Sequence, residues 1–235
     1  MTGFHYIDIF ATKGIEYLIV IGFLFVLIIF WQILSGPRQR AANWARGRMR
    51  SVGHWFLLAR DRYYHQGHSW AKPEKGNLVK VGIDDFATKF LGAPKAIEVP
   101  QPGSQIEQGE IGWRLKVDSR KVEMLAPVTG KVVAVNKKVL EHPELLERDP
   151  YNEGWLLEVE TPKLRANLRN LLSGRLAREW MEDTAESLRR MLAPKIGATL
   201  QDGGLPVNGF ARSVWPENWD EIAAEFFKTK AEVEE

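Results

Sequence analysis

Between residues 67 and 160 the chain consists of short apolar runs separated by turn residues, a texture that leaves little room for anything but a small sheet protein. Residues 77–81, 96–99, 112–117, 122–125, 131–135 and 155–159 are predicted strands, each a few residues long and rich in Val, Leu, Ile or Trp. Pro100, Pro102, Gly103, Pro127, Gly130 and Gly154 punctuate them, and Ala93-Pro94 and Gly109 add further breaks. Short strands with frequent turns predict an all-β barrel or sandwich.

Specific motifs run through this stretch. His68-Ser69-Trp70 opens it, followed by Val81-Gly82-Ile83-Asp84-Asp85-Phe86-Ala87 and Leu91-Gly92. Glu98-Val99-Pro100 comes next, with Gly103 and Gly109 behind it. Ala126-Pro127-Val128-Thr129-Gly130 then leads to Glu144-Leu145, Asp149-Pro150-Tyr151 and Glu153-Gly154-Trp155-Leu156. In order and separation this series resembles the H-protein of the glycine cleavage system. The resemblance implies a lipoyl-type flattened β-barrel of two sheets, with a hairpin whose tip carries lipoyl-lysine in the family.

The family's lysine stands eight residues before the proline of its S-P-V-S-G motif, and counting back from Pro127 reaches Ser119. Counting forward from Gly109 across the family's spacing reaches Ser119 again. The tip reads Val117-Asp118-Ser119-Arg120-Lys121, and Lys116 stands where the family has a glutamate. Serine has no amine to acylate, so Ser119 reads as a vacated lipoyl position. Lys116 and Lys121 are expected on the hairpin legs, where a strand side chain stands off the sheet and would aim an arm differently.

Residues 17–34 form an apolar run broken only by Gln32. As a helix it would rise roughly 27 Å, close to the ~30 Å hydrocarbon core of a bilayer. Tyr17 and Trp31 near its ends suit the interfaces. The run is expected to be a retained anchor, because Asp8 and Glu16 precede it and no A-x-A-like cleavage site follows. Arg38, Arg40, Arg46, Arg48 and Arg50 follow it, while only Lys13 precedes it. The positive-inside rule then predicts a single pass through the inner membrane, N-terminus outside and C-terminal domain in the cytoplasm. Residues 38–64 read as a basic amphipathic helix on the membrane surface, with Val52, Trp55, Phe56, Ala59 and Tyr63 on one face.

Beyond the barrel, Leu164, Leu168 and Leu171 fit the short helix that the resemblance implies there. Leu176, Trp180, Thr184, Leu188 and Met191 predict a longer one ending before Pro194. Trp219, Ile222, Ala223, Phe226 and Phe227 form the apolar face of a last helix with Asn218 as candidate N-cap. These large aromatics either pack on the barrel or anchor partner subunits. The fold class is α+β: an N-terminal transmembrane helix (1–36), a basic juxtamembrane helix or linker (37–66), an all-β lipoyl-type flattened barrel (67–161) and a C-terminal helical extension (162–235).

With no cysteine the chain has no disulfide, thiolate metal site or cysteine nucleophile. His65 and His68 lack a third ligand pattern, and no phosphate loop, dinucleotide fingerprint or nucleophile elbow is present. No catalytic residue, metal or cofactor is expected, and a net charge of +2 gives no case for nucleic acid. The expected function is a non-catalytic, non-lipoylated H-protein-like subunit that anchors or scaffolds a membrane-bound redox or respiratory complex. Its expected partners are membrane lipid and other subunits. Asp118, Ser119, Arg120, Lys121, Trp180, Trp219, Phe226 and Phe227 are the candidate contact residues. The alternatives are a membrane-tethered lipoyl carrier that uses Lys116 or Lys121, and a membrane adaptor of a secretion or transport system.

Overall fold

The computed structural model describes residues 9–34, 49–52, 55–196 and 206–229. The chain forms two compact units, Met1–Gly47 and Arg48–Glu235. The first contains helix α1 (Ile9–Leu34). Side chains are described at 17–28 and 30, and all of them are exposed. Among the described residues no helix is long and apolar enough to cross a membrane. This corrects the expected transmembrane helix, and with it the single-pass inner-membrane location. Lys13 and Glu16 interrupt the N-terminal part of α1.

The basic amphipathic helix is corrected as well. Residues 35–48 and 53–54 lie outside the described residues, and Met49–Val52 and Phe56–Ala59 are extended. Strands β1 (Met49–Val52) and β2 (Phe56–Ala59) pair antiparallel, Met49 opposite Ala59 and Val52 opposite Phe56. A short β3 (Tyr63–Tyr64) follows. The run Trp55-Phe56-Leu57-Leu58-Ala59 is too short for periodicity to separate strand from helix, and its tertiary partners decide. The Leu57 N–H donates to Asp85 Oδ2 at 2.7 Å, and the Leu57 carbonyl accepts from the Tyr151 hydroxyl at 2.6 Å. Residues 49–66 therefore belong to the globular unit rather than to a linker.

Two antiparallel sheets build that unit. The larger has the order β3–β4–β5–β11–β10–β7, with β4 (Ser69–Pro73), β5 (Leu78–Ile83), β7 (Gln105–Ile106), β10 (Gly130–Val135) and β11 (Trp155–Glu160). The smaller has β6 (Ala96–Glu98), β8 (Ile111–Val117) and β9 (Arg120–Leu125), in the order β6–β8–β9. Alternate residues point inward. Val79, Val81, Val132, Leu157 and Val159 of the larger sheet and Leu115, Val117, Val122 and Met124 of the smaller are buried.

The motif residues have physical reasons. A Cβ on Gly82 would stand 2.7 Å from the Trp70 ring, so only glycine lets that indole lie across β5 and donate from Nε1 to the Ile83 carbonyl at 2.8 Å. Asp84 caps helix α2 (Asp85–Leu91), its Oδ1 accepting from the Ala87 N–H at 2.9 Å. Short helices α3 (Lys137–Glu141) and α4 (Leu145–Arg148) bring Tyr151 under β2.

After β11 come α5 (Leu164–Arg169) and α6 (Gly174–Ile196). On α6 the buried stripe is Ala177, Met181, Ala185, Leu188 and Leu192; Leu188 and the buried Thr184 lie on the expected face, while Ala177, Met181, Ala185 and Leu192 stand one residue beyond the expected positions and Leu176 is exposed. Alanines let this helix lie close on the barrel, so the contact falls beside the large residues that suggested it. Helices α7 (Phe210–Val214) and α8 (Trp219–Phe227) complete the unit. Asn218 occupies the N-cap position of α8 but makes no side-chain capping bond.

The Tyr151 hydroxyl, buried between Leu57 and Asp85, gives a test of this packing. Tyr151→Phe leaves the Leu57 carbonyl and the Asp85 N–H without that partner, and is expected to lower stability by about 1–3 kcal/mol in urea unfolding. An unchanged midpoint would show that the hydroxyl does not hold β2 to the barrel.

Candidate functional site at the β8–β9 hairpin

Val117 pairs with Arg120, which leaves Asp118 and Ser119 as a two-residue turn. Asp118 has a left-handed φ of 55°, a region Asp tolerates better than most residues. Ser119 stands exposed at the apex. Lys116 and Lys121 face each other directly across the legs. Like charges in such a pair repel. Glu98 on β6 offsets this for Lys121, at 3.0 Å from its Nζ. Lys116 is exposed and has no ion-pair partner among the described residues.

The C-terminal segment holds both neighbours of Ser119. The Gly209 N–H donates to the Lys89 carbonyl at 2.7 Å, bringing the start of α7 against the end of α2. Gly92 and Gly209, with φ of 78° and 75°, meet there, and a Cβ on Gly92 would lie 3.1 Å from the Gly209 Cα. The Arg212 side chain runs over both glycines, and its Nη1 donates to the two Asp118 carboxylate oxygens, each at 3.2 Å. On the other side Arg120 pairs with Asp220 and donates to the Glu217 carbonyl at 2.9 Å. Its guanidinium lies 5.9 Å from the centroid of the Trp219 ring.

Underneath, the aromatics converge on Phe90. Phe210, Trp215, Phe226 and Phe227 have ring centroids 5.3, 6.3, 5.7 and 6.0 Å from it. Trp219, Phe226 and Phe227 are 4%, 8% and 0% exposed, so they are interior side chains rather than the exposed partner anchors that one reading of the sequence offered. Trp180 is half-buried and lies over His68, centroids 4.7 Å apart. Arg212, Glu217 and Asp220 went unnoticed in the sequence, and Gly209 was read there only as a loop residue. Side chains nearly a hundred residues from the hairpin carry no local pattern.

Beneath this cluster lies a second polar group. His68, with a φ of 63°, stacks on Phe86 at 4.1 Å and donates from Nδ1 to Asp84 Oδ2 at 2.8 Å. Asp85 is held by Lys89 at 2.7 Å, though burial pushes its carboxyl above the usual range. Burial also raises the Tyr64 and Tyr151 hydroxyls. These groups are committed to structure, and among the described residues no cluster of three or more His, Asp or Glu could hold a metal ion.

Comparison with known proteins decides the family. The description "Glycine cleavage H-protein" matches residues 62–184, more than half of the chain. The chain belongs to the glycine cleavage H-protein family. Its H-protein-like region is 37% identical over 130 residues to a glycine cleavage system H protein of Carboxydothermus hydrogenoformans, covering 55% of this chain and 98% of that one. A Thermus thermophilus glycine cleavage system H protein is 36% identical over 128 residues, with 54% and 98% covered. The crystal structure of a Mycobacterium marinum glycine cleavage system H protein is 26% identical, covering 55% of this chain and 99% of that chain, with a TM-score of 0.47. The family match stops at residue 184, so every residue of α7 and α8 that holds the hairpin lies outside it. So do β1 and β2.

His65, beside the entry motif of the H-protein region, gives a pH test. Burial, and the nearby His68, lower its pKa below the usual 6.5. Its Nδ1 also accepts from the Gly67 N–H at 3.0 Å, which requires that nitrogen to be unprotonated. A histidine with a lowered folded pKa destabilises the fold as pH falls below its unfolded value, because the unfolded chain then binds more protons. His65→Asn is expected to lose less stability than the parent between pH 7 and pH 5 in urea unfolding. Equal losses would exclude His65 as a source of acid sensitivity.

Proposed function

We propose that this chain is a non-catalytic, non-lipoylated member of the H-protein family that acts through contacts with other protein subunits. One observation carries the reading: the apex of the hairpin is Ser119, whose hydroxyl has no amine to carry a lipoyl amide. The two lysines nearest to it stand on the legs, as a cross-strand pair on the outward face of the smaller sheet. An arm attached there would leave the sheet sideways rather than along the hairpin axis. What remains for binding is the exposed turn and the charged face beside it, Arg114, Lys116, Lys121 and Glu123, which suits a polar protein surface. The buried Asp84, Asp85 and His68 are engaged in the barrel's own packing, which supports a role without acid–base chemistry at these residues.

One observation favours a second reading. Lys116 is exposed and without an ion pair among the described residues, so it is the amine a modifying enzyme would meet first. Intact-mass measurement on the chain isolated from the cells that make it separates the two. The proposed function predicts the plain sequence mass, and an unchanged partner set for Ser119→Ala. A mass increment of one lipoyl group, mapped by peptide analysis to Lys116 or Lys121, would establish a carrier and end the proposal.

A further inference from the structure

We infer that the C-terminal segment 206–229 is a built-in brace that closes the hairpin tip to enzymes and partners that must grip it from both sides. The inference deepens the non-lipoylated reading and rests on it: residue 119 lacks the amine, and the side chains on both sides of it are engaged although Ser119 itself stays exposed. Asp118 and Arg120 are the two chain neighbours of Ser119, and each is tied to this segment. Asp118 holds the Arg212 guanidinium, with Lys95 Nζ 3.8 Å away on its other side. Arg120 is bound to Asp220 and to the Glu217 carbonyl. Any protein that recognises residue 119 through its two neighbours must displace these partners.

The brace does not swing aside as a loose flap. Helix α8 packs against β9, with Trp219 buried beneath Arg120, Ala223 fully buried, and Phe226 and Phe227 buried beside Phe86 and Phe90. At its root the segment is seated by the Gly209–Lys89 hydrogen bond and by the approach of Gly209 to Gly92. The ion pairs at the tip are partly exposed and individually weak. They select which face of the hairpin is covered, while the aromatic face keeps the segment in place. Mutating the arginines therefore frees the tip and leaves the fold.

The test compares three full-length proteins as substrates of a lipoate–protein ligase with lipoate and ATP. In that reaction the lysine Nζ attacks the acyl-adenylate carbonyl, an amide forms, and AMP leaves as the amine proton passes to solvent. The first protein carries Ser119→Lys and Lys116→Glu, which restore the amine and the acidic neighbour with the brace intact. The second adds Arg120→Gln and Arg212→Gln. The third adds Asp220→Asn and Arg212→Gln instead, which loosens the same contacts and keeps Arg120. The brace predicts at least tenfold slower acylation of the first protein than of the other two, read by intact mass. Near-ultraviolet circular dichroism, expected to match in all three, reports that the aromatic core is kept. Equal rates in all three, whether fast or absent, would overturn the brace. Native protein carrying a lipoyl group would instead overturn the non-lipoylated reading, so the two failures are distinguishable.

Discussion

The contact between His68 and Asp84 is where the parts of this molecule meet. Asp84 is fully buried and uses both carboxylate oxygens, one on the N-terminus of α2 and one on the His68 ring. Its own N–H donates to the His68 carbonyl at 3.0 Å, so backbone and side chain are tied to the same residue. The ring it orients is stacked on Phe86 from α2, tilted against Trp180 from α6 and met edge-on by Phe227 from α8. A buried carboxylate is costly unless every oxygen is satisfied, and here satisfying it sets the directions of three helices.

From α2 the aromatic packing follows. Phe90 is fully buried, and four of its aromatic neighbours come from the chain beyond residue 209. Fully burying one such side chain is worth about 1.5–3 kcal/mol, and a well-placed aromatic pair adds roughly 0.5–1.5 kcal/mol. An exposed ion pair contributes about 0–1 kcal/mol. The aromatic face therefore outweighs the tip ion pairs in holding α7 and α8, and the ion pairs act on register and on access to the hairpin. The chain beyond the H-protein-like region is in this way packed beside the hairpin and tied to both neighbours of the exposed Ser119.

The barrel was legible in the sequence because its signals are local. Gly82 is needed where Trp70 crosses β5, Gly154 where a Cβ would meet the Asp149 carbonyl at 2.8 Å, and Asp84 where α2 begins. Each constraint involves residues that also recur in the family's order, so motif and physics agree. The hairpin was legible through the family's spacing, and the structure shortens its tip from 118–121 to the two-residue turn Asp118-Ser119. Other features depended on distant partners. Residues 49–64 form strands because Asp85 and Tyr151 receive β2, and no pattern within those residues reveals that. The apolar run near the N-terminus suggested a membrane span through composition alone, while no helix among the described residues is long and apolar enough for one. In the tail, the apolar face of the last helix was visible, but a stripe of Trp and Phe reads alike whether it meets a partner or the chain's own α2. Phe90, the residue that decides the matter, lies over a hundred positions earlier.

The central claim is that α8 belongs to the same cooperative structure as the barrel and is not an appendage laid over it. Native-state hydrogen exchange on the full-length protein addresses it most directly, because amides that open only by global unfolding share one free energy. The account predicts that the amides of Ala223, Phe226 and Phe227 exchange with protection close to that of Val79 and Val81 in the central strand β5. Exchange of the α8 amides at rates near those of an unstructured peptide, with Val79 and Val81 still protected, would contradict it.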